Sequence, residues 1–149
     1  MTAKFLVDLK QEQDQSASNF KCSLDNAKRS FYRSFNSILG KVGRIASNEV
    51  IVQLIKTKCF PVQYYGLEAC PLRKSQFSSL NFVINSTFRK VFDTRSQDVV
   101  DVCLEMFNCV PAEQTVAMHK AKFWKRVNNS NNMLCQTFAV EAAKELATL

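Results

Sequence analysis

Residues 25–42 read DNAKRSFYRSFNSILGKV, and the spacing of their side chains decides the fold class. Apolar residues recur at positions i, i+4, i+8, i+11 and i+15, which is the repeat of a helix. Arg29 and Arg33 are four residues apart and fall on the opposite face. The stretch therefore predicts an amphipathic helix with one face in a core and one cationic face in solvent. The apolar positions are Ala27, Phe31, Phe35, Ile38 and Val42.

Helical spacing continues along the chain. A second helix is predicted from an N-cap at Ser47 to Phe60-Pro61, where the proline should stop it. The segment between Pro61 and Pro71 is expected to be irregular or helical. Asn128 to Asn132 form a loop by composition. Further helices are predicted near residues 74–92, 97–107, 111–127 and 133–146.

Each predicted helix has a set of residues that should face inward. For the second to the sixth predicted helices, in chain order, the sets are Val50, Ile51, Leu54 and Ile55; Phe77, Leu80, Ile84, Phe88, Val91 and Phe92; Val99, Cys103, Met106 and Phe107; Val116, Phe123, Trp124 and Val127; and Leu134, Phe138, Ala142 and Leu146.

Composition supports the same fold class. The chain has 149 residues, 46% of them hydrophobic, which suits one domain with a sizeable core. Three Gly and three Pro are too few for a turn-dense β-sandwich or barrel. We predict an all-α bundle of five or six short helices over 25–149. Residues 1–24 are predicted to be a weakly ordered polar segment, with one short helix over 3–11 as an option.

The net charge of +7 is concentrated in one part of the chain. Residues 28–95 contain twelve Lys or Arg and three acids, whereas the segments on either side each carry a balance of −1. A basic block in a folded domain favours phosphate as a partner, and a merely solvated face is the alternative. Two basic sets stand out. The first is Lys28, Arg29, Arg33, Lys41, Arg44, Lys56 and Lys58, and the second is Lys120, Lys122, Lys125 and Arg126.

The residues of a complete enzyme site are not apparent. No two acids are adjacent, and His119 is the only histidine, so neither a two-metal site nor a nucleophile–base pair is predicted. The six cysteines never form a CxxC pair, although Cys103, Cys109 and His119 could in principle supply three zinc ligands. No cofactor is expected. No secretory leader and no apolar run long enough for a membrane span are apparent, which predicts an intracellular protein of the nucleus or cytoplasm without a membrane partner.

A family resemblance begins within the basic block. Residues 54–68 read LIKTKCFPVQYYGLE, which resembles the K-x-x-C-x-P-x-x-x-Y-G-x-E run of non-LTR, LINE-type retrotransposon reverse transcriptases. The residues that carry it are Lys56, Cys59, Pro61, Tyr65, Gly66 and Glu68. Residues 27–135 as a whole look like the region that follows the palm in that family, which covers close to three quarters of the chain.

The resemblance implies helices of the thumb and the connection that grip a template–primer duplex. It implies that the helix of Arg29 and Arg33 and the helix ending in Lys56 and Lys58 face RNA, DNA or an RNA–DNA hybrid, without reading sequence. Residues 61–68 would be a structural corner. Gln63 and Tyr64 depart from the family, which commonly has aliphatic residues there. The fingers and the palm, with its paired aspartates, are missing, so we expect a truncated copy translated from Met1 and without polymerase activity of its own.

Two other functions stay open at this point. A truncated thumb would expose apolar surface, which favours a protein-interaction or self-association module. The chain could also complete a polymerase in trans, with a partner that carries the aspartates. The aromatic residues interleaved with the basic sets could stack on bases, but the helical phase places Phe31, Phe35, Phe123 and Trp124 in the core.

Overall fold

The computed structural model of the chain describes residues 23–148. Within this range the secondary structure is helical and contains no strand. The predicted all-α fold is therefore confirmed for the described part of the chain. Apart from Ser23 and Leu24, the predicted N-terminal segment, with its optional helix over 3–11, lies outside the described residues.

Four of the helices match their predicted ranges to within a residue, and the last predicted helix is divided into two. In chain order the helices are α1 (Asp25–Val42), α2 (Asn48–Leu54), α3 (Phe60–Tyr64), α4 (Lys74–Val91), α5 (Gln97–Met106), α6 (Ala112–Asn128), α7 (Met133–Thr137) and α8 (Ala139–Thr148). A π-helical turn, Ile55–Cys59, joins α2 to α3, and a 3₁₀ turn, Leu67–Ala69, follows α3.

The second predicted helix does not stop at Pro61, contrary to the prediction. α2, the π turn and α3 form one continuous rod over residues 48–64. A proline in a regular α-helix clashes with the carbonyl four residues earlier. Here the π turn, which is wider than an α-helical turn, precedes Pro61. In it the Phe60 amide donates to the Ile55 carbonyl five residues back. Because the hydrogen bonds are already spaced for a π-helix, the proline is accommodated without ending the rod.

The rod starts where the sequence predicts, at an N-cap formed by Ser47. The Ser47 side chain accepts a hydrogen bond from the Val50 amide, at an N–O distance of 3.5 Å, which caps α2. At the far end Gly66 has a φ of 74°, a left-handed conformation that glycine adopts without strain. The rod thus begins and ends where its flanking residues favour a break.

α1 and the rod form a helical hairpin. The loop of residues 43–47 connects them, and α1 contacts the rod along its length. Ala27 and Ser30 near the start of α1 line the same open cavity as Pro61 and Val62 near the end of the rod. The two therefore run antiparallel.

The core consists of two joined clusters. The α1 cluster contains Phe31, Phe35, Ile51, Ile55, Cys59 and Val83. The α4 cluster contains Leu24, Val52, Tyr64, Leu67, Leu80, Ile84, Phe88, Val100, Ala112 and Val116. Phe60 and Val91 pack against both clusters. The rod and α4 supply residues to both, so these two elements hold α1 on one side and α5 and α6 on the other.

α4 runs parallel to α1. The Tyr32 and Ser86 hydroxyls are hydrogen-bonded at 3.1 Å, and the Lys90 ammonium donates to the Asn36 side-chain oxygen at 3.5 Å. Residues 32 and 36 of α1 therefore lie opposite residues 86 and 90 of α4, so the two helices run in the same direction. Of the predicted inward residues of α4, Leu80, Ile84 and Phe88 are buried, which confirms that face.

Several predicted inward positions are wrong. Val50, Val99 and Met106 are exposed, and Val100 is the buried residue of α5 instead. Phe123 is 43% exposed, although Val116 on the same helix is buried as predicted.

The predicted C-terminal helix is also divided. It is interrupted at Phe138, and both Leu134 and Phe138 are exposed, while Ala142 is buried as predicted. The short α7 packs chiefly against α6 and α8, and Met133 and Leu134 stay largely exposed.

Gln63 is the unusual residue of the core. It is fully buried, and its amide donates a long hydrogen bond of 3.4 Å to the Leu80 carbonyl. Its side-chain oxygen has no hydrogen-bond partner in the described part of the chain. An apolar residue of the same length would avoid the cost of burying that oxygen.

Candidate nucleic-acid interface

The exposed face of α1 carries the two arginines that the sequence places there. Arg29, Arg33 and Asn36 are exposed, whereas Phe31 and Phe35 on the opposite side are buried. This is the amphipathic division that the spacing predicts. Residues at i, i+4 and i+7 lie along one helical stripe, so the two guanidinium groups project from neighbouring turns of one surface.

Lys90 of α4 lies beside this stripe. Its ammonium donates to the side-chain oxygen of Asn36 and lies 5.6 Å from the centroid of the Phe35 ring. The apolar stem of such a lysine can cover an aromatic ring while its charge stays at the surface. An ammonium has three donors, so the bond to Asn36 leaves two that can reach phosphate oxygens.

α1 also packs against the rod that carries Lys58. The π turn contacts α1, and Lys58 is exposed on this turn. The helix that carries the arginine stripe therefore packs against both α4 and the rod, and each of these two elements has an exposed cation. We call Arg29, Arg33, Lys58 and Lys90 the α1 basic surface.

Lys56 has a different environment. Its ammonium donates to the Phe107 carbonyl at 2.6 Å, at the C-terminal end of α5. The last carbonyls of a helix lack backbone donors and carry partial negative charge, so a cation there is stabilising. The two lysines, which the sequence analysis assigns the same role, therefore have different environments. Lys56 joins the rod to α5, and Lys58 is free to face a ligand.

Replacing each of these lysines by methionine should separate their roles. We expect Lys56→Met to lower the free energy of unfolding by about 1–2 kcal/mol, because it removes a charge-assisted hydrogen bond to the end of α5. Lys58→Met should change it by less than about 0.5 kcal/mol, as is usual at exposed positions. Urea titrations followed by circular dichroism measure both. Equal losses of stability for the two variants would contradict the capping role of Lys56.

The remaining cations of the first set are dispersed. Lys28 is half-buried on α1, near the start of α4, where it lines a shallow cavity with Ser75 and Ser79. Lys41 and Arg44 are exposed at the end of α1 and in the loop that follows. They extend the positive potential toward that end of the hairpin, but no hydrogen bond or ring contact within residues 23–148 joins them to the stripe.

The second basic set lies on α6. Lys122, Lys125 and Arg126 are exposed on one side of the helix and form no ion pair within residues 23–148. Lys120 is turned toward α8 and forms an ion pair with Glu145 at 2.7 Å. We call the three unpaired residues the α6 basic face. α6 packs chiefly against α4, the 3₁₀ turn, α7 and α8, so this face belongs to a different part of the bundle from the α1 basic surface.

Most aromatic side chains near the basic sets are unavailable for stacking on bases. Phe31 and Phe35 are buried, and their rings pack at a centroid distance of 6.4 Å. Trp124 is half-buried, with its indole nitrogen enclosed, and its ring meets that of Phe123 edge-on. Tyr65 and Phe123 are the exceptions, at 87% and 43% exposed. The two basic surfaces therefore favour contact with phosphates over stacking on bases.

The ionisable groups of the core are held neutral by their surroundings. Burial raises the pKa of Cys59 to about 11 and that of Tyr64 to about 12. Burial also raises the pKa of Cys109, although the nearby Lys56 charge opposes this effect. Since the thiolate is the nucleophile, neither thiol is activated at neutral pH. His119 packs edge-on against the Tyr64 ring at 6.2 Å.

Neither a metal centre nor a membrane span is found among the described residues. Between residues 23 and 148, no three His, Cys, Asp or Glu side chains are grouped so that they could hold a metal ion. No helix in that range combines the length and the apolar character needed to cross a membrane.

No family model, curated protein or solved structure matches the chain. The likeness to LINE-type reverse transcriptases therefore stays a prediction from the sequence.

Lys90 is the residue of the interface that sequence reasoning missed. It belongs to the positively charged block of residues 28–95, which is the only signal that could have singled it out. Its position beside Asn36 depends on the parallel packing of α1 and α4, and 54 residues separate the two along the chain. Helical periodicity gives the face of each helix but not the partner of that face.

Proposed function

We propose that the chain is a non-catalytic remnant of a retrotransposon reverse transcriptase that binds template–primer-like nucleic acid through the α1 basic surface. The observation that carries this proposal is the placement of Lys90 beside the exposed Arg29 and Arg33 stripe. Cations from separate helices that share a surface can follow a phosphate backbone. The α6 basic face would be a second contact. An intracellular location, in the nucleus or the cytoplasm, goes with this function.

The residues of the family-like run have structural roles that support the proposal. Cys59 is the buried last residue of the π turn, Pro61 follows that turn, and Gly66 takes the left-handed conformation. Lys56 bonds the rod to the end of α5. A structural corner is what the resemblance implies for residues 61–68, whereas for Lys56 it implies contact with nucleic acid rather than the bond to α5.

The side chains of the α1 basic surface favour binding without sequence preference. Arg and Lys on exposed helix faces reach phosphate oxygens, which are the same at every nucleotide. The neighbouring aromatic rings of Phe31 and Phe35 are buried and cannot stack on bases. Affinity should therefore depend on charge and duplex shape rather than on sequence.

A salt titration tests the proposal. If about six phosphates are contacted, the logarithm of the association constant should fall with the logarithm of salt concentration at a slope near −5. Fluorescence anisotropy with a labelled RNA–DNA hybrid measures this slope, and a second hybrid of unrelated sequence should give the same value. A flat salt response, or no binding at low salt, would overturn the proposed function.

A further inference from the structure

We propose that the chain, when no nucleic acid covers α6, self-associates through two different surfaces, with α5 of one copy docking on α6 of a second copy. The first surface is an apolar stripe on α5. Val99, Val102 and Met106 are 45%, 56% and 72% exposed. Their spacing of i, i+3 and i+7 places them along one face of the helix. A continuous apolar stripe in solvent is the usual mark of a protein contact.

Acidic residues border this stripe. Asp98, Asp101 and Glu105 are exposed on α5, and none of them forms an ion pair within the described range. Asp101 accepts a hydrogen bond from the Gln97 side chain at 2.7 Å. The α5 surface is therefore an apolar strip with a negatively charged edge.

The exposed side of α6 also combines an apolar residue with charged residues, and here the charges are positive. Met118 is 46% exposed, and the three cations of the α6 basic face follow it at i+4, i+7 and i+8. Three unpaired acids on α5 thus correspond to three unpaired bases on α6. Met118 would contact the apolar stripe of α5, with pairs of opposite charge on either side of that contact. Such complementarity sets the register of an interface.

The two surfaces cannot meet within one chain. Val100 of α5, and Ala112 and Val116 of α6, are buried in the same α4 cluster. Because both helices use their inner faces on that shared core, their exposed faces are directed away from it. The loop that joins them spans only residues 107–111. The partner of each surface must therefore come from a second copy, in a head-to-tail or a reciprocal arrangement.

Charge exchange between the two surfaces tests this inference. The acidic-edge variant is Asp98→Lys/Glu105→Lys, which leaves the hydrogen-bonded Asp101 in place. The basic-face variant is Lys122→Glu/Lys125→Glu. Each variant alone has two surfaces of like charge, so we expect at least a tenfold weaker self-association, which corresponds to about 1.4 kcal/mol. An equal mixture of the two variants restores opposite charges across the contact between them and should associate more strongly than either variant alone.

Sedimentation velocity of nucleic-acid-free protein over a range of concentrations measures the association. Circular dichroism checks that each variant keeps its helicity, and Val102→Ser/Met106→Ser removes the apolar stripe without any change of charge. The wild type should shift from 17.0 kDa to larger species as concentration rises. A wild type that stays at that mass, variants that associate as it does, or a mixture that remains monomeric would each overturn the inference.

Discussion

Reversing three charges on the α1 basic surface should weaken nucleic-acid binding by roughly 100-fold, because each exposed phosphate interaction contributes about 1 kcal/mol. The variant is Arg29→Glu/Arg33→Glu/Lys58→Glu. All three residues are exposed, and none of them is buried in either core cluster. Lys56 is left unchanged because its ammonium holds the end of α5. With three fewer phosphates neutralised, the salt slope should also become shallower by about three units.

A matched control separates this surface from the effect of net charge. Lys74→Glu/Arg95→Glu/Lys144→Glu makes the same change in charge at exposed positions. Lys74 and Arg95 lie at opposite ends of the 18-residue α4, about 27 Å in length, and Lys144 lies on α8. Anisotropy titrations at constant salt should show a much smaller loss of affinity for the control. Equal losses would mean that overall charge, not the α1 basic surface, determines affinity.

Phe31→Ala should remove a large part of the stability of the domain. Phe31 is fully buried, its ring stacks on Phe35 and Phe60 at 6.4 Å, and it meets Tyr32 edge-on. Truncation of a buried phenylalanine costs about 3–5 kcal/mol, because the packing around the ring is removed and a cavity remains. Domains of this size are stable by only about 5–15 kcal/mol. The midpoint of urea unfolding should therefore fall sharply.

Phe82 provides the comparison on α4. It is 62% exposed, so Phe82→Ala should change the free energy of unfolding by no more than about 0.5 kcal/mol. Both variants remove the same atoms, and only the burial of those atoms differs. If Phe31→Ala cost less than about 1 kcal/mol, the packing of α1 against the rod would have to be reconsidered.

The long amphipathic helices could be predicted from the sequence, whereas the short ones could not. In α1 the apolar and charged residues occupy separate faces, so their spacing fixes both the helix and its orientation. In α5 apolar residues occur at 99, 100, 102, 103, 104 and 106 and cover more than half of the helix circumference. Periodicity then leaves the buried side undetermined, which is why the predicted burial of Val99 and Met106 is wrong.

In the candidate interface, features that depend on one helix could be predicted, and features that depend on contacts between helices could not. The exposure of Arg29 and Arg33 follows from the spacing within one helix. Neither the hydrogen bond between Lys56 and Phe107 nor that between Lys90 and Asn36 could be predicted, because each joins segments more than 50 residues apart. Such pairs depend on how the helices pack, and no pattern along the chain reports that packing.

The π turn makes the length of the rod a constraint on the whole bundle. Ile51, Ile55, Cys59 and Gln63 recur every four residues and are all buried. In a regular helix each such step would drift by about 40° around the axis, so the last of them would turn away from the first. The wider turn cancels part of this drift. Deleting a single amino acid between Ile55 and Cys59 would let this turn become a regular helical turn and keep the four residues on one face, whereas one additional residue elsewhere in the rod would swing its downstream half by about 100° and misalign it with its neighbours.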